Sequence, residues 1–132
     1  MKLRTTMLTA ATFAVTAASA LTITGTAAAT TDPAGWDHVW TSHDGGATVY
    51  VNRYKDNISL CDVKKDGRAA RVEVYVGNAT KPVYTMSTTG CATHWEPDGG
   101  KYNLPEGKEI HLYFGTREGR DNLTHQKFLN NR

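Results

Sequence analysis

The sequence predicts an all-β protein, a small antiparallel β-sandwich or barrel with one disulfide. Short runs of alternating apolar and polar residues recur at a spacing of about 10 residues, with turns rich in Gly, Asp, Asn and Pro between them. No stretch combines a helical period with caps at both ends. The chain also has two cysteines, which are expected to pair with each other.

Residues 1–29 are predicted to be a secretory signal peptide. Lys2 and Arg4 give the segment a positive start, Met7–Ala20 is uncharged and mostly apolar, and Ala27-Ala28-Ala29 closes it. The apolar run is short and interrupted by Thr, and no later stretch reaches the roughly 20 apolar residues of a membrane span. We therefore expect a secreted, extracellular protein without a membrane span in its mature chain.

Cleavage after Ala29 leaves residues 30–132 as a single secreted β-domain, while Ala18-Ser19-Ala20 is an alternative cleavage site. The full chain has 15 basic and 13 acidic residues, and removal of Lys2 and Arg4 leaves equal numbers. A domain without net charge lacks the basic surface that nucleic acids and anionic membranes require. We therefore expect no nucleic-acid partner.

The two cysteines are predicted to form a structural disulfide, Cys61–Cys91, because exported chains fold in an oxidising compartment. A closed loop of about 30 residues is worth roughly 3–4 kcal/mol in the chain-entropy model. The alternatives, a catalytic thiol or a metal ligand, need a partner cluster such as C-x-x-C, and the sequence has none.

The stretch Ile58–Val76 is predicted to be one β-hairpin. The polar segment Lys64–Arg68 supplies its turn, and Gly67 can take the positive φ that tight hairpin turns require. After the turn, Val alternates with Arg, Glu and Tyr. This period of two places one face of the strand in a core and the other in water.

In the remaining segments, apolar and polar residues also alternate between turn-forming residues. The sequence therefore predicts five to seven strands in all. Ser42–Gly46, Glu96–Gly100 and Arg117–Asn122 are turns or loops, and the tail after residue 122 is a closing strand or a single helical turn. The further strands predicted are Trp36–Thr41 (an edge strand), Ala47–Tyr54, Lys81–Thr89, an extended Thr93–Trp95 and Lys108–Thr116.

Four aromatic residues are the candidate binding residues: Trp95, Tyr102, Trp36 and Trp40. Trp95 adjoins the Pro97–Gly100 turn, which favours a surface position, and Tyr102 follows the same loop. Exposed Trp and Tyr can stack on sugar rings or form the centre of a protein interface. The alternative, especially for Trp36 and Trp40, is packing in the core of a small domain.

No metal or cofactor is expected. The five histidines lack the short spacing of a zinc site, and each Asp-Gly-Gly stretch offers only one carboxylate for calcium.

The serine-hydrolase and zinc-protease motifs are absent. The best catalytic trio is Arg71, Glu73 and His111 on the polar faces of predicted strands, which suits a small nuclease. A solvated cross-strand ion pair explains the same pattern.

The Cys61 and Cys91 segments and the run from Asp98 to Gly107 (DGGKYNLPEG) resemble small secreted actinomycete proteins with one disulfide. The resemblance covers residues 48–115. It implies secretion and an all-β domain, and it carries no activity or ligand with it.

The leading functional hypothesis is a non-catalytic binding or interaction protein whose partner is an extracellular protein or polysaccharide. The alternative is a small secreted hydrolase such as a nuclease, with Arg71, Glu73 and His111 as its site. A third hypothesis is an antibacterial toxin directed at competitors, and no feature of the sequence points to it specifically. The sequence leaves the ligand and the oligomeric state open.

Overall fold

The computed structural model describes residues 35–132, so the predicted signal peptide, residues 1–29, lies outside the described residues. The described part folds into eight β-strands, and four short 3₁₀ segments lie in three of the connections between them. The strands are β1 (His38–Thr41), β2 (Ala47–Asn52), β3 (Asn57–Asp62), β4 (Ala70–Val76), β5 (Tyr84–Thr88), β6 (Cys91–His94), β7 (Lys108–Gly115) and β8 (Thr124–Asn130).

The strands form two antiparallel four-stranded sheets. The first sheet has the order β1-β2-β3-β6, and the second has the order β5-β4-β7-β8. Their inner faces pack against each other around one hydrophobic core. The architecture confirms the predicted all-β class, and β1 is an edge strand as expected. Within residues 35–132, no helix has the length and apolar character needed to cross a membrane.

The core follows from the alternation of apolar residues along the strands. Inward positions of β2, β4 and β7 are filled by Val, Ile, Leu and Phe, while the residues between them point outward. Burying one such side chain contributes about 1.5–3 kcal/mol to folding. The largest fully buried apolar side chains are Phe114, Ile58, Leu60, Leu104, Ile110 and Leu112.

The predicted hairpin over Ile58–Val76 is wrong, because its two strands belong to different sheets. β3 pairs with β2 and β6, whereas β4 pairs with β5 and β7. The segment between them, residues 63–69, connects one sheet to the other. Of the predicted turn, the positive φ of Gly67 is present, at 75°, within this connection. Local alternation identifies a strand but does not encode the sheet to which the strand belongs.

Several predicted strand boundaries differ from the observed ones by one to three residues, and the largest shift is at β5. β5 begins at Tyr84 rather than Lys81, and Pro82, which lacks an N–H donor, lies before the strand. The tail forms a full strand, β8, which pairs with β7 from Phe114↔Thr124 to Lys108↔Asn130. Together with β6, these elements give eight strands instead of five to seven.

The Cys61–Cys91 disulfide is present as predicted, and it joins directly opposed residues of β3 and β6. The disulfide therefore lies within the first sheet, whereas Asp44 in the β1–β2 turn links the two sheets. One carboxylate oxygen of Asp44 accepts hydrogen bonds from the Ser42 hydroxyl and the Gly46 N–H (2.9 Å). The other accepts from the backbone N–H and the hydroxyl of Thr116, each at 2.9 Å.

The pKa of Asp44 lies well below its ordinary value. Burial opposes ionisation, but the bonds from Ser42, Thr116 and Gly46 outweigh it. Gly46 is required here, because a Cβ at this position would collide with the Thr116 side chain.

Asp56 ties three segments together in the interior. Its carboxylate accepts hydrogen bonds from the Leu104 N–H and the Asn130 side-chain amide, both at 2.8 Å. The bonds connect the turn after β2, the segment before β7 and the end of β8. Burial raises the pKa of Asp56 above its ordinary value, although these hydrogen bonds act in the opposite direction.

Candidate binding surface

The outer face of the first sheet is the uncharged surface of this domain. Among the described residues of its four strands, no charged residue occupies an outward position. We call this surface the neutral face. By strand alternation, its residues are Val39, Thr41, Thr48, Tyr50, Asn52, Asn57, Ser59, Cys61, Cys91 and Thr93.

The Thr and Ser hydroxyl groups of the neutral face are paired across the strands. The Thr41 and Thr48 hydroxyls are 3.0 Å apart, and the Thr93 hydroxyl donates to Ser59 at 2.8 Å. Such cross-strand pairs stabilise a sheet without introducing charge. They hold the neutral face in one arrangement, which lowers the entropy that ligand binding would cost.

Exposed aromatic rings border the neutral face. Trp95 directly follows β6 and is 40% exposed, and Tyr54, in the turn after β2, is 63% exposed. The Lys55 ammonium lies 5.4 Å from the Tyr54 ring centre and 5.8 Å from the Trp95 ring centre. One cation therefore bridges the two rings and brings them to the same end of the sheet.

The backbone around Trp95 is fixed by the turn that follows it. The Trp95 N–H donates to Asp98 Oδ2 at 3.2 Å, and the Asp98 N–H donates back to the Trp95 carbonyl at 2.9 Å. His94 Nδ1 lies 3.1 Å from the same Asp98 oxygen. The Pro97–Gly100 stretch, which predicted a surface position for Trp95, thus also holds it there.

The four predicted binding residues do not form one surface. Trp36 packs on the outward ring of Tyr50, with 5.6 Å between ring centres, and so lies with Trp95 on the side of the neutral face. Trp40 points inward, is half-buried and packs against the core. Tyr102 also packs against the core, and its ring stacks on His94 with 3.9 Å between ring centres.

The outer face of the second sheet is charged, in contrast to the neutral face. We call this surface the charged face. It carries Arg71, Glu73, Tyr75, Thr85, Ser87, Glu109, His111, Tyr113, His125, Lys127 and Leu129.

Two of the three predicted catalytic residues are bonded to each other on this face. Arg71 Nη2 donates to Glu73 at 2.7 Å, and the Tyr75 hydroxyl donates to the other Glu73 oxygen at 2.9 Å. His111 is directly opposite Tyr75, so it is diagonal to Glu73, at about 7–8 Å. His111 and Glu73 share the face without bonding to each other.

The polar partners of His111 are Glu109 and His125. Its Nε2 lies 2.9 Å from a Glu109 oxygen, and its Nδ1 lies 2.9 Å from His125 Nε2. Because the carboxylate can only accept a hydrogen bond, His111 Nε2 carries a proton, and in the neutral form of His111 its Nδ1 accepts from His125. Lys127 completes the chain with a 3.2 Å contact to Glu109.

An arginine lies over the tyrosines of the charged face. The Arg120 guanidinium is 4.2 Å from the Tyr113 ring centre and 4.6 Å from that of Tyr75. Arg120 comes from the loop before β8, where no periodic pattern predicts the contact. Burial, reinforced by the bond to Glu73, raises the pKa of Tyr75.

In the part of the chain that the structure describes, no group of three or more His, Cys, Asp or Glu side chains could hold a metal ion. Comparisons of this chain with protein-family models, curated proteins and solved structures find no match. The function is therefore inferred from the two outer faces of the sandwich.

Proposed function

We propose that the protein is an extracellular, non-catalytic binding protein whose neutral face binds a polysaccharide without charged groups. The observation that carries this proposal is an uncharged sheet surface bordered by the exposed rings of Trp95 and Tyr54. Aromatic faces pack well against the apolar faces of sugar rings, and the neutral side chains of Thr41, Asn52 and Thr93 suit sugar hydroxyls. The Cys61–Cys91 disulfide supports an extracellular location.

The distribution of exposed apolar residues favours the first sheet as the binding side. Four of the five large exposed hydrophobic residues belong to this sheet or to segments that adjoin it: Val39, Tyr54, Val63 and Trp95. Exposed apolar groups that cluster on one side of a domain mark interaction sites. The fifth, Leu129, is on the charged face.

The size of the neutral face favours a glycan over a protein partner. The strands of the first sheet have four or six residues, so at about 3.3 Å per residue and a spacing of about 4.8 Å they offer a flat area of about 300 Å². A standard protein interface buries about 800 Å² on each partner. The neutral face is therefore small for a protein partner and sufficient for a short stretch of an extended sugar chain.

The test is retention of the oxidised domain on insoluble chitin, cellulose and xylan, compared between Trp95→Ala and Leu129→Ala. Both variants remove a large exposed side chain, but only Trp95 borders the neutral face. We expect Trp95→Ala to weaken binding at least 10-fold, about 1.4 kcal/mol, and Leu129→Ala to leave it unchanged. Equal effects of the two substitutions, or no retention on any of the three polysaccharides, would refute the proposal.

A second candidate is a small hydrolase that acts on phosphodiesters at the charged face. It is favoured by one observation, the hydrogen-bonded chain from Glu109 through His111 to His125 beside the Arg71–Glu73 pair. A carboxylate that orients an imidazole is a common arrangement for general acid–base catalysis, and an arginine can stabilise a phosphate.

Incubation with RNA tests the hydrolase. Cleavage that is lost in His111→Gln and retained in His43→Gln, which removes an exposed histidine outside the charged face, would support it. No cleavage, or cleavage that His111→Gln leaves unchanged, would exclude this site.

A further inference from the structure

A groove with several arginines lies at one end of the charged face. It has a volume of about 940 Å³ and opens beside the start of β4, the middle of β5 and the segment after β7. Its lining includes Arg68, Arg71, Arg117, Glu118, Thr85 and Ser87. The lining therefore contains three arginines and a single acidic residue, Glu118.

Two of these guanidiniums lack a carboxylate partner. Arg71 is paired with Glu73 at 2.7 Å, whereas Arg68 and Arg117 form no ion pair with any residue of 35–132. Because these two arginines line one groove with a single acidic residue, an anionic ligand would lower the electrostatic energy of the groove.

Neutral hydrogen-bond donors line the same groove. Ser87 is directly opposite Arg71 in the β4–β5 pair, and Thr85 is directly opposite Glu73. Neither hydroxyl makes a hydrogen bond to another described side chain or backbone group. An arginine fork can bind two oxygens of a sulfate or phosphate group, and a hydroxyl can donate to a third.

We propose that this groove binds a polysaccharide that carries sulfate or phosphate ester groups. Its volume is near the top of the range of about 300–1,000 Å³ for ligand sites, which suits an extended ligand rather than a single small ion. No lining residue is aromatic, although single-stranded nucleic acids are usually held by base stacking on aromatic rings. The site is independent of the proposed neutral face, because the two surfaces are on opposite sheets.

The test compares affinities for dextran sulfate and phosphorylated dextran between two double variants of the domain. Arg68→Gln/Arg117→Gln removes the unpaired arginines from the groove. Lys81→Gln/Lys108→Gln removes the same charge from exposed positions at the opposite end of the second sheet. Unmodified dextran and single-stranded RNA serve as the neutral and nucleic-acid probes.

We expect the arginine variant to bind a modified dextran at least 10-fold more weakly than the unsubstituted domain, and the lysine variant to bind it normally. The slope of log affinity against log salt concentration should decrease in magnitude by about 1–2 in the arginine variant only, as expected when phosphate or sulfate contacts are lost. Binding of only one modified dextran supports the site and identifies the ester.

Three outcomes would overturn the proposal. These are no binding of either modified dextran, an equal loss in the two double variants, and binding of RNA that exceeds both modified dextrans through the same arginines. Retention of dextran sulfate binding by Trp95→Ala would separate this site from the neutral face.

Discussion

His111 and His125 share a hydrogen bond of 2.9 Å between Nδ1 and Nε2, with ring planes only 2° from parallel. Only one of the two bonded nitrogens can carry a proton, so double protonation of the pair replaces the bond with a repulsive contact. Burial, followed by the positive charges of His111, Lys127 and Arg120, lowers the pKa of His125. The pair is therefore sensitive to acid.

The first prediction is that stability falls between pH 7.5 and pH 5 in part because of His125. A histidine whose pKa is lower in the folded state is protonated more readily in the unfolded chain, so its contribution is lost below about pH 6.5. Urea unfolding of His125→Gln should show a weaker pH dependence than the unsubstituted domain and His43→Gln. Identical pH dependence in all three proteins would contradict this prediction.

The second prediction concerns Asp44, which links the β1–β2 turn to the end of β7. Because it accepts four hydrogen bonds as a carboxylate, Asp44→Asn should lower the free energy of unfolding by about 2–3 kcal/mol at pH 7. The lowered pKa of Asp44 means that this difference should shrink as pH falls below about 4.

Chemical denaturation at several pH values checks the Asp44 prediction, with Asp62→Asn as the matched control. Asp62 accepts one backbone hydrogen bond, from the Lys64 N–H at 3.2 Å. A loss in Asp44→Asn no larger than in Asp62→Asn would show that Asp44 does not link the sheets energetically.

The third prediction concerns Asp56, which is buried among segments from both ends of the domain. Asp56→Ala leaves the Leu104 N–H and the Asn130 amide without their 2.8 Å partner and should cost about 2–4 kcal/mol. Asp66→Ala, which removes an exposed carboxylate bonded to the Arg68 N–H, should cost no more than about 0.5 kcal/mol. Thermal or urea unfolding distinguishes them, and similar losses would count against the interior role of Asp56.

The fourth prediction concerns the disulfide between β3 and β6. Replacing Cys61 and Cys91 by Ala should lower the free energy of unfolding by about 3–4 kcal/mol, because the bond closes a loop of 30 residues. Reduction of the unsubstituted domain should give a comparable loss. If both proteins keep the stability of the oxidised domain, the bond does not restrict the unfolded chain as the loop-entropy argument requires.

The strands were predictable where the side-chain pattern is local. In β2, β4 and β7, apolar residues alternate regularly, and the turns around them contain Gly, Asp or Asn. The pairing of strands is non-local, which explains why β3 and β4 were expected to form a hairpin although each pairs with other strands. Two patterned strands linked by a polar segment look alike in sequence whether they form a hairpin or connect two sheets.

The candidate surfaces were only partly predictable for the same reason. The turn after β6 indicated that Trp95 is exposed, and the alternation with Val in β4 placed Arg71, Glu73 and Tyr75 on the side opposite the core. Stacking of Tyr102 on His94 and of Arg120 on Tyr113 depends on loops that return to a sheet. No local pattern in the sequence encodes those contacts.

Amide chemical-shift mapping tests whether the neutral face is the ligand site. The isotope-labelled, oxidised domain would be titrated with soluble oligosaccharides of chitin, cellulose and xylan. We predict that at least one of them shifts the amides of Trp95 and of neighbouring β2, β3 and β6 residues, while those of β4 and β7 stay unchanged. Shifts confined to β4 and β7, or no shifts with any of the three oligosaccharides, would contradict the account.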